Sequence, residues 1–257
     1  MSVPRVALWR AALALGLLAL WQFGAGRLFD PFWFSQPSAI AAALWRAMQS
    51  GQLWDDLAAT FRATAIGYAG GAALGLALGI LLAQSETVAS VLRPFMLALY
   101  GIPRIALAPI FVLWFGIALA SKVMMAGMMT FLLVFFSTYD GVRASDLELR
   151  NVARILGCNG WQLFRHVTIP NASPWIISGL RIAIPQALVA AVVAEFIAST
   201  EGLGYRIMEK TNVLDTAGTM AGVLVLMLIV VALSIGLDRL EARILRWRPQ
   251  AAEARAA

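Results

Sequence analysis

The sequence predicts an all-α membrane protein with about six transmembrane helices. Of its 257 residues, 61% are hydrophobic and 13% are charged, and soluble domains carry about twice that charged share. The apolar residues form runs of about 18 or more, the length of a helix that crosses a bilayer. A membrane β-barrel would instead show short segments of alternating hydrophobicity. The whole chain, residues 1–257, is therefore predicted to be one transmembrane domain with its core at about 57–240.

The N-terminal part contains a predicted span at about 6–24. Basic residues followed by an apolar run also fit a signal peptide. No clean cleavage site precedes a soluble domain, however, so the span is predicted to be retained. The aromatic-rich segment that follows suits the headgroup level of a membrane. A short amphipathic helix is predicted after it, at 38–48.

The second predicted span, residues 61–84, contains four glycines that recur at every fourth position. That spacing places them on one face of a helix, where they let another backbone approach closely. Packing between helices of the same chain is the preferred interpretation, and a contact between subunits is the alternative. The predicted helix-packing residues are Gly67, Gly71, Gly75 and Gly79.

Residues 95–137 form one apolar run, long enough for two spans of about 20 residues each with a break at about 116–122. The first of these spans is interrupted by Pro103 and Pro109, with Arg104 between them. Proline removes a backbone donor and clashes one turn back, so a break in the helix is predicted here. Irregular backbone at membrane depth is tolerated where it is buried in protein or lines a cavity. The two prolines and Arg104 are therefore candidate pathway residues.

The second half contains a polar loop at about 146–170, a fifth span at 175–199 and a sixth span at 221–235. Between the last two spans, residues 200–216 are predicted to form a short surface or re-entrant loop. A basic tail is expected at 238–257. Six spans place both termini and the polar loop on the same side of the membrane.

Basic residues are distributed unequally between the two sides of this topology. The side of the polar loop and the C-terminal tail collects most of the arginines, among them Arg5, Arg10, Arg93, Arg143, Arg150, Arg154 and Arg165. Lysine and arginine accumulate on the cytoplasmic side of membrane proteins, so both termini and the loop are predicted to be cytosolic. The same rule accounts for the net charge of +6 without a nucleic-acid partner.

Motifs for catalysis, metal binding or ATP hydrolysis are missing from the sequence. Neither of the lysines, Lys122 and Lys210, follows a glycine, which excludes the phosphate-binding loop of P-loop ATPases. A single histidine and a single cysteine exclude the usual zinc sets and disfavour Cys–His catalysis. No catalytic residue, metal or cofactor is therefore predicted.

One stretch of the polar loop, NVARILG at 151–157, is followed after nine residues by VTIP at 167–170. This pattern resembles the E-A-A-x3-G-x9-I-x-L-P loop of ATP-binding-cassette (ABC) importer permeases. Ala153, Gly157 and Pro170 match that loop outright.

Two positions of the loop depart from the family pattern, because Asn151 and Val152 stand where the family commonly has Glu and Ala. The first position, Asn151, is uncharged and so provides no carboxylate for a salt bridge. Elsewhere the stretches PSAIAAALW, APIFVLWFGI, STYDGVR, GLRIAI, AEFIAS and EGLGY resemble permeases of the nitrate/sulfonate/taurine/bicarbonate group. The resemblance extends over nearly the whole chain.

This resemblance implies the fold of a type I ABC importer permease in the bacterial cytoplasmic (inner) membrane. It implies three kinds of partner, namely a pair of cytosolic ATPase subunits, an extracytoplasmic solute-binding protein and a second permease copy in a homodimer. It also implies that the polar loop forms coupling helices that dock on the ATPase, with Gly157 as the turn and Pro170 as a hinge. The expected coupling residues are Asn151, Val152, Ala153, Arg154, Gly157, Trp161 and Pro170.

The function expected from the resemblance is transport of a small anionic solute, such as a sulfonate, taurine or nitrate. Arg104 either lines the pathway and favours an anion or pairs structurally with Glu195, which is itself a candidate pathway residue near the outer interface. An ABC permease for a thiamine precursor or an aromatic acid is an alternative. A secondary transporter driven by an ion gradient is another, although no convincing internal repeat supports it.

Overall fold

The computed structural model describes residues 3–28, 30–144 and 147–244, which are mostly helical. Asp146 and residues 245–257 of the predicted tail lie outside the described residues, as does the side chain of Arg104. A 3₁₀ turn, Arg104–Leu107, leads into α6, and a π-helical turn, Phe164–Thr168, joins α9 to α10. In chain order the helices are α1 (Val3–Gly24), α2 (Pro31–Phe34), α3 (Pro37–Gln49), α4 (Gln52–Ala83), α5 (Glu86–Gly101), α6 (Ala108–Phe115), α7 (Leu119–Arg143), α8 (Leu147–Ile155), α9 (Gly160–Leu163), α10 (Ile169–Ile197), α11 (Leu203–Asn212) and α12 (Thr216–Ile244).

The predicted class, an all-α membrane protein, is confirmed. Within the described residues, four helical stretches are long and apolar enough to cross a membrane: Gln52–Ala83, Leu119–Arg143, Gly160–Ile197 and Thr216–Arg243. Shorter apolar helices lie at Leu8–Gly24 and Ile105–Phe115. Together these six stretches overlap the six predicted spans.

The core is built on a backbone-to-backbone contact between α4 and α7. A Cβ added at Gly67 would lie 2.6 Å from the carbonyl oxygen of Val123, and one at Gly71 would lie 2.3 Å from that of Gly127. Gly75 and Gly79 lie on the same face, which we call the glycine stripe, and a Cβ at either would also meet α7 at 3.0 Å or less. Any side chain on this face would push the helices apart. The stripe therefore packs two helices of the same chain against each other.

Helix α10 joins this pair with a row of small residues. The buried members of the row are Ala183, Ala187, Ala190, Ala191 and Ala194. Two of them form a cluster with Ala63 of α4 and Ala126 of α7, so all three helices meet there. Lipid gives helices little hydrophobic drive to associate, and small residues compensate by allowing close van der Waals packing.

The third predicted span is broken where the prolines predict a break. Helix α5 ends at Gly101, and the 3₁₀ turn starts directly after Pro103. Pro109 lies in the first turn of α6. N–H groups in the first turn have no partner within the helix, so the missing N–H of proline costs no hydrogen bond there.

The predicted loop at 200–216 was wrong for most of its length, because it contains α11. Leu203, Gly204 and Ile207 of this helix are buried. Leu203 and Ile207 are four residues apart and so share a helix face. Polar neighbours in the sequence hide this short amphipathic pattern.

The fifth span begins earlier than predicted, because one helical stretch runs from Gly160 to Ile197. Pro170 lies in the first turn of α10, directly after the π turn. In that turn the N–H of Ile169 bonds to the carbonyl of Phe164, five residues back. This longer step shifts the hydrogen-bond register ahead of the proline, so the helix continues through it.

Replacing Gly71 by alanine tests the contact between α4 and α7. The added methyl group would lie 2.3 Å from a backbone oxygen, so we expect the free energy of unfolding to fall by about 1–3 kcal/mol. Gly70→Ala is the matched control, because a Cβ there meets nothing within 4 Å. Unfolding of the purified protein in detergent micelles measures both variants. Equal stability of the two would contradict the packing.

Candidate functional site

Two groups of residues lie at opposite ends of the long helical stretch from Gly160 to Ile197. The predicted coupling loop, with α8 and α9, adjoins the start of this stretch. A cluster of buried polar side chains surrounds Glu195 near its end. Of that cluster, the sequence singled out only Glu195 as a candidate.

A defined turn joins α8 to α9. Gly157 has a φ of +83°, in the left-handed region that glycine adopts without steric cost. Its N–H donates to the carbonyl of Arg154 (3.0 Å), and the N–H of Cys158 donates to the carbonyl of Ala153 (3.0 Å). These two bonds form a Schellman cap, which satisfies the last carbonyls of a helix. Gly157 therefore ends α8 and turns the chain toward α9.

Helix α9 begins with a capping box. The side chain of Asn159 accepts the N–H of Gln162 (2.8 Å), and the side-chain oxygen of Gln162 accepts the N–H of Asn159 (2.9 Å). Two N–H groups at the start of the helix are thereby satisfied. The end of α8 and the start of α9 are both fixed by local hydrogen bonds, so the turn is preorganised.

The turn presents apolar side chains outward. Ile155 is 84% exposed, Leu156 is 78% exposed and Trp161 is 66% exposed, while Ala153 and Leu163 are buried. We call the exposed apolar residues of this turn the apolar cap. Its members are Val152, Ile155, Leu156 and Trp161.

Polar side chains border the apolar cap on the same turn. Asn151, Arg154 and Arg165 are exposed beside it, and they would be costly to place in lipid. Trp161 stacks on Phe164 with ring centroids 5.7 Å apart, which holds the indole in place. An exposed apolar patch bordered by polar residues is typical of a protein-interaction surface.

The candidate pathway residues around the break lie on α6 and the turn before it. Pro103 and Pro109 are exposed on the single chain, and the backbone of Arg104 starts the 3₁₀ turn. Helix α6 packs on α7 and α10 through a buried cluster that includes Ala108 and Ala194. Because Ala194 precedes Glu195, the broken segment adjoins the part of the bundle that contains this glutamate.

Glu195 and Lys122 form a buried pair between α10 and α7. Each is 1% exposed, and the Lys122 Nζ lies 3.9 Å from a carboxylate oxygen of Glu195. The ammonium group also donates a hydrogen bond to the carbonyl oxygen of Glu201 (2.9 Å). Within the described residues, Lys122 is the basic side chain that faces Glu195. A lysine within an apolar stretch was the sequence signal for this partner.

A single hydroxyl group links three helices beside this pair. Thr60 of α4 is fully buried, and its hydroxyl donates to the carboxylate of Glu195, with oxygen distances of 2.9 and 3.1 Å. The same hydroxyl accepts the N–H of Leu203 at the start of α11 (2.9 Å). Glu195 also accepts the N–H of Gly204 (2.8 Å). Helices α4, α10 and α11 therefore meet at these atoms.

Asp56 completes the cluster on α4. Its carboxylate accepts the N–H of Gly202 (3.1 Å) and the Nε–H of Arg206 (2.8 Å). This second hydrogen bond raises the pKa of Arg206 above its ordinary value, so the guanidinium stays charged. We call the four side chains of the cluster the polar node. They are Asp56, Thr60, Lys122 and Glu195.

The backbone of the segment before α11 packs directly against the polar node. Gly202 has a φ of +110°, and a Cβ there would lie 2.2 Å from a carboxylate oxygen of Glu195. The N–H groups of residues 202–204 lie at the start of a helix, where intrahelical partners are missing. Side chains of α4 and α10 supply those partners instead. The node therefore fixes the start of α11 against two long helices.

Neither region has the arrangement of a metal centre. Among the residues that the structure describes, His, Cys, Asp and Glu side chains form no group of three or more that could hold a metal ion. The geometry instead suits docking at the apolar cap and mechanical attachment at the polar node.

Comparison with known proteins identifies relatives over nearly the full length of the chain. The sequence model of the family described as binding-protein-dependent transport system inner membrane component matches residues 75–247. Riboflavin transport system permease protein RibX of Chloroflexus aurantiacus is 36% identical over 232 residues, which cover 90% of this chain and 87% of RibX. Formylaminopyrimidine transport permease protein ThiX of Halalkalibacterium halodurans is 32% identical over 234 residues, 91% of this chain and 93% of ThiX.

A third relative is the taurine transport system permease protein TauC of Escherichia coli. It is 29% identical over 248 residues, which cover 95% of this chain and 90% of TauC.

Two solved structures share the fold at low sequence identity. The crystal structure of an amino acid ABC transporter with histidines superposes with a TM-score of 0.66 at 18% identity, covering 78% of this chain and 97% of that chain. An inward-facing structure of the MetNI methionine ABC transporter gives a TM-score of 0.64 at 17% identity, covering 80% and 97% respectively. The predicted permease fold is thereby confirmed.

Replacing Lys122 by methionine tests the buried pair. The variant leaves the Glu195 carboxylate without its cation, and breaking a buried pair costs about 3–5 kcal/mol of unfolding free energy. Lys210→Met is the matched control, because the pair of Lys210 with Asp215 is partly exposed and worth about 0–1 kcal/mol. Unfolding in micelles measures both, and a similarly small loss in the two variants would contradict a paired Glu195.

Proposed function

Because the chain belongs to the family of binding-protein-dependent transport system inner membrane components, we propose that a separate cytosolic ATPase drives it through the apolar cap. The chain is the transmembrane permease subunit of an ABC importer, a multi-pass protein of the bacterial inner membrane. The observation that carries the proposal is the exposed cap on a turn fixed by backbone hydrogen bonds. ATP-dependent movement of a docked partner then shifts the bundle between its inward-facing and outward-facing states.

The apolar cap suits burial in a groove of the ATPase. Burying one large apolar side chain is worth about 1.5–3 kcal/mol, and tryptophan is common among the residues that dominate interfaces. Trp161 supplies this anchor, and the guanidinium of Arg154 beside it offers bidentate hydrogen bonds to a carboxylate. Asn151 carries no charge, so the docking relies on the cap and Arg154 rather than on an ion pair from position 151.

We place the apolar cap in the cytosol and the polar node on the outer side of the membrane. The support is the excess of arginine near the cap, as at Arg143, Arg150 and Arg165. At the α11 end, Arg206 and Lys210 both pair with carboxylates instead. Both termini are then cytosolic, and α11 faces the extracytoplasmic solute-binding protein.

A second copy of the permease completes the pathway in this proposal. Irregular backbone within a membrane is stable where protein covers it or where it lines a cavity. Pro103, Ile105 and Pro109 are exposed at the break of the single chain. A homodimer would place this segment against the equivalent segment of the second copy, with the pathway between them.

Two classes of solute are candidates. A small anion, such as a sulfonate, fits Arg104 beside the broken segment, and the relative TauC is named for taurine transport. A nitrogen heterocycle is the second candidate, because the relatives RibX and ThiX are named for riboflavin and formylaminopyrimidine transport. The anion is our first choice, since a cation at membrane depth usually faces a cavity or a partner.

Placing a charge on the cap tests the docking. Ile155→Asp should weaken binding of the ATPase at least tenfold, about 1.4 kcal/mol, because the carboxylate must be buried without a partner. Val213→Asp is the matched control, since Val213 is 67% exposed at the other end of the chain. Co-purification and affinity measurement with the ATPase in detergent compare the two variants. Equal binding would refute docking at the cap.

Variants of Arg104 test the pathway and the solute class together. For an anionic solute, we expect Arg104→Ala to lower uptake about tenfold or more, and Arg104→Lys to retain part of it because the charge is kept. Uptake of labelled taurine and of a labelled pyrimidine by cells expressing the whole transporter measures both classes. Transport unchanged in both variants would refute a pathway role for Arg104. Uptake of the pyrimidine alone would favour the second class.

A further inference from the structure

The apolar cap and the polar node are joined by one helical stretch. Residues Gly160–Ile197 comprise 38 residues, which at 1.5 Å per residue span about 57 Å. Trp161 of the cap lies in its first turn, and Glu195 of the node lies in its last turn. The prolines within it, Pro170, Pro174 and Pro185, do not end the helix. A displacement of the α9 end can therefore reach the node along a continuous element.

At the node this helix is attached to α11 through the side chain of Glu195. The carboxylate accepts the N–H of Gly204 (2.8 Å) and the hydroxyl of Thr60 (2.9 Å). Thr60 in turn accepts the N–H of Leu203 (2.9 Å), so α4 belongs to the same attachment. Lys122 adds α7 by its hydrogen bond to the carbonyl of Glu201, in the segment that enters α11.

These bonds give α11 a single position on the bundle. Each donor named here has a hydrogen-bond partner within the chain. The region is also closed to solvent, because Thr60, Lys122 and Glu195 are each at most 1% exposed. Sliding α11 along α10 would leave several buried polar groups without partners at once, and such groups are costly in a low-dielectric interior. The attachment is therefore stiff rather than adaptable.

We propose that Thr60, Lys122 and Glu195 are positioning residues that lock α11 to α10, so that movement of the cap is transmitted to the outer face of the permease. The inference rests on the proposed function, since it assumes that the ATPase moves the cap. In the opposite direction, a binding protein that contacts α11 would act on the cap through the same bonds, because coupling between two sites is reciprocal.

Thr60→Val tests the lock with the smallest change in shape. Valine keeps the volume of threonine but removes the hydroxyl that bonds to both Glu195 and Leu203. Thr60→Ser restores that hydroxyl. Thr130→Val is the matched control, because Thr130 is equally buried but its hydroxyl bonds within its own helix, to the carbonyl of Ala126.

Each variant is reconstituted in proteoliposomes with the ATPase and the solute-binding protein. The readouts are stimulation of ATP hydrolysis by loaded binding protein and solute transported per ATP hydrolysed. Thr60→Val should keep the basal ATPase activity and lose at least fivefold in both readouts. Thr60→Ser and Thr130→Val should match the parent protein. A purely structural role would instead lower the amount of assembled transporter and leave transport per ATP unchanged.

Three outcomes would overturn the inference or its basis. Unchanged transport per ATP in Thr60→Val refutes the lock while leaving the proposed function intact. If neither Thr60→Val nor Glu195→Gln assembles while Thr130→Val does, the node serves assembly alone and the lock is refuted. If the parent protein itself shows no stimulation by binding protein, the proposed function fails, and the lock fails with it.

Discussion

Close contact between α4 and α7 is the constraint on which the rest of the structure depends. The face of α4 that makes this contact is buried over nearly the whole helix, at Asp56, Thr60, Ala63, Thr64, Gly67, Gly71, Gly75 and Gly79. In its middle the absence of side chains lets the backbones meet. At its start the same helical spacing directs Asp56 and Thr60 toward α10 and α11. The glycine contact therefore determines where the polar node can form.

The two ends of the helical stretch Gly160–Ile197 differ in their hydrogen bonding and in the exposure of their side chains. At the node every named donor is bonded within the chain, and the side chains are closed to solvent. At the cap the backbone is satisfied by local caps, but the apolar side chains remain exposed. A buried network with all its hydrogen bonds made is rigid, and an exposed apolar patch is typical of an interaction surface. The proposed coupling needs this difference, because one end must bind a partner and the other must hold α11 in place.

Local features of the sequence predicted most of the fold. Runs of apolar residues indicated the four helices of membrane-spanning length and the two shorter apolar helices, and Pro103 and Pro109 indicated the break before α6. The start of the fifth span and the existence of α11 were missed. A proline next to a π turn does not end a helix, and α11 owes its burial to contacts with other helices. Helix propensity does not indicate a π turn, and the short amphipathic pattern of α11 was hidden among polar residues.

The candidate site was predictable in one half only. The predicted coupling loop is local, because its turn is formed at Gly157 and at the capping box that Asn159 begins, within a few residues of each other. The node depends on partners far apart in the chain, such as Thr60 and Glu195, which are 135 residues apart. Lys122, a lone cation in an apolar stretch, was the available signal. The sequence analysis did not use this signal, and the signal alone does not show which residue is the partner.

Stability alone does not account for the charged pair in the node. Removing a charge from water costs several kcal/mol per ion, and apolar residues of similar volume often stabilise a protein as well. An apolar residue in place of Glu195 would, however, leave the N–H of Gly204 and the hydroxyl of Thr60 without their acceptor. Each unbonded buried donor costs about 1–3 kcal/mol. A helix that starts inside the bundle therefore needs a hydrogen-bond acceptor here. Glu195 supplies it as a carboxylate, and Lys122 supplies a cation beside that carboxylate. We therefore attribute the pair of Lys122 and Glu195 to the attachment of α11. Their hydrogen bonds to Glu201 and Gly204 fix one position of α11 on the bundle.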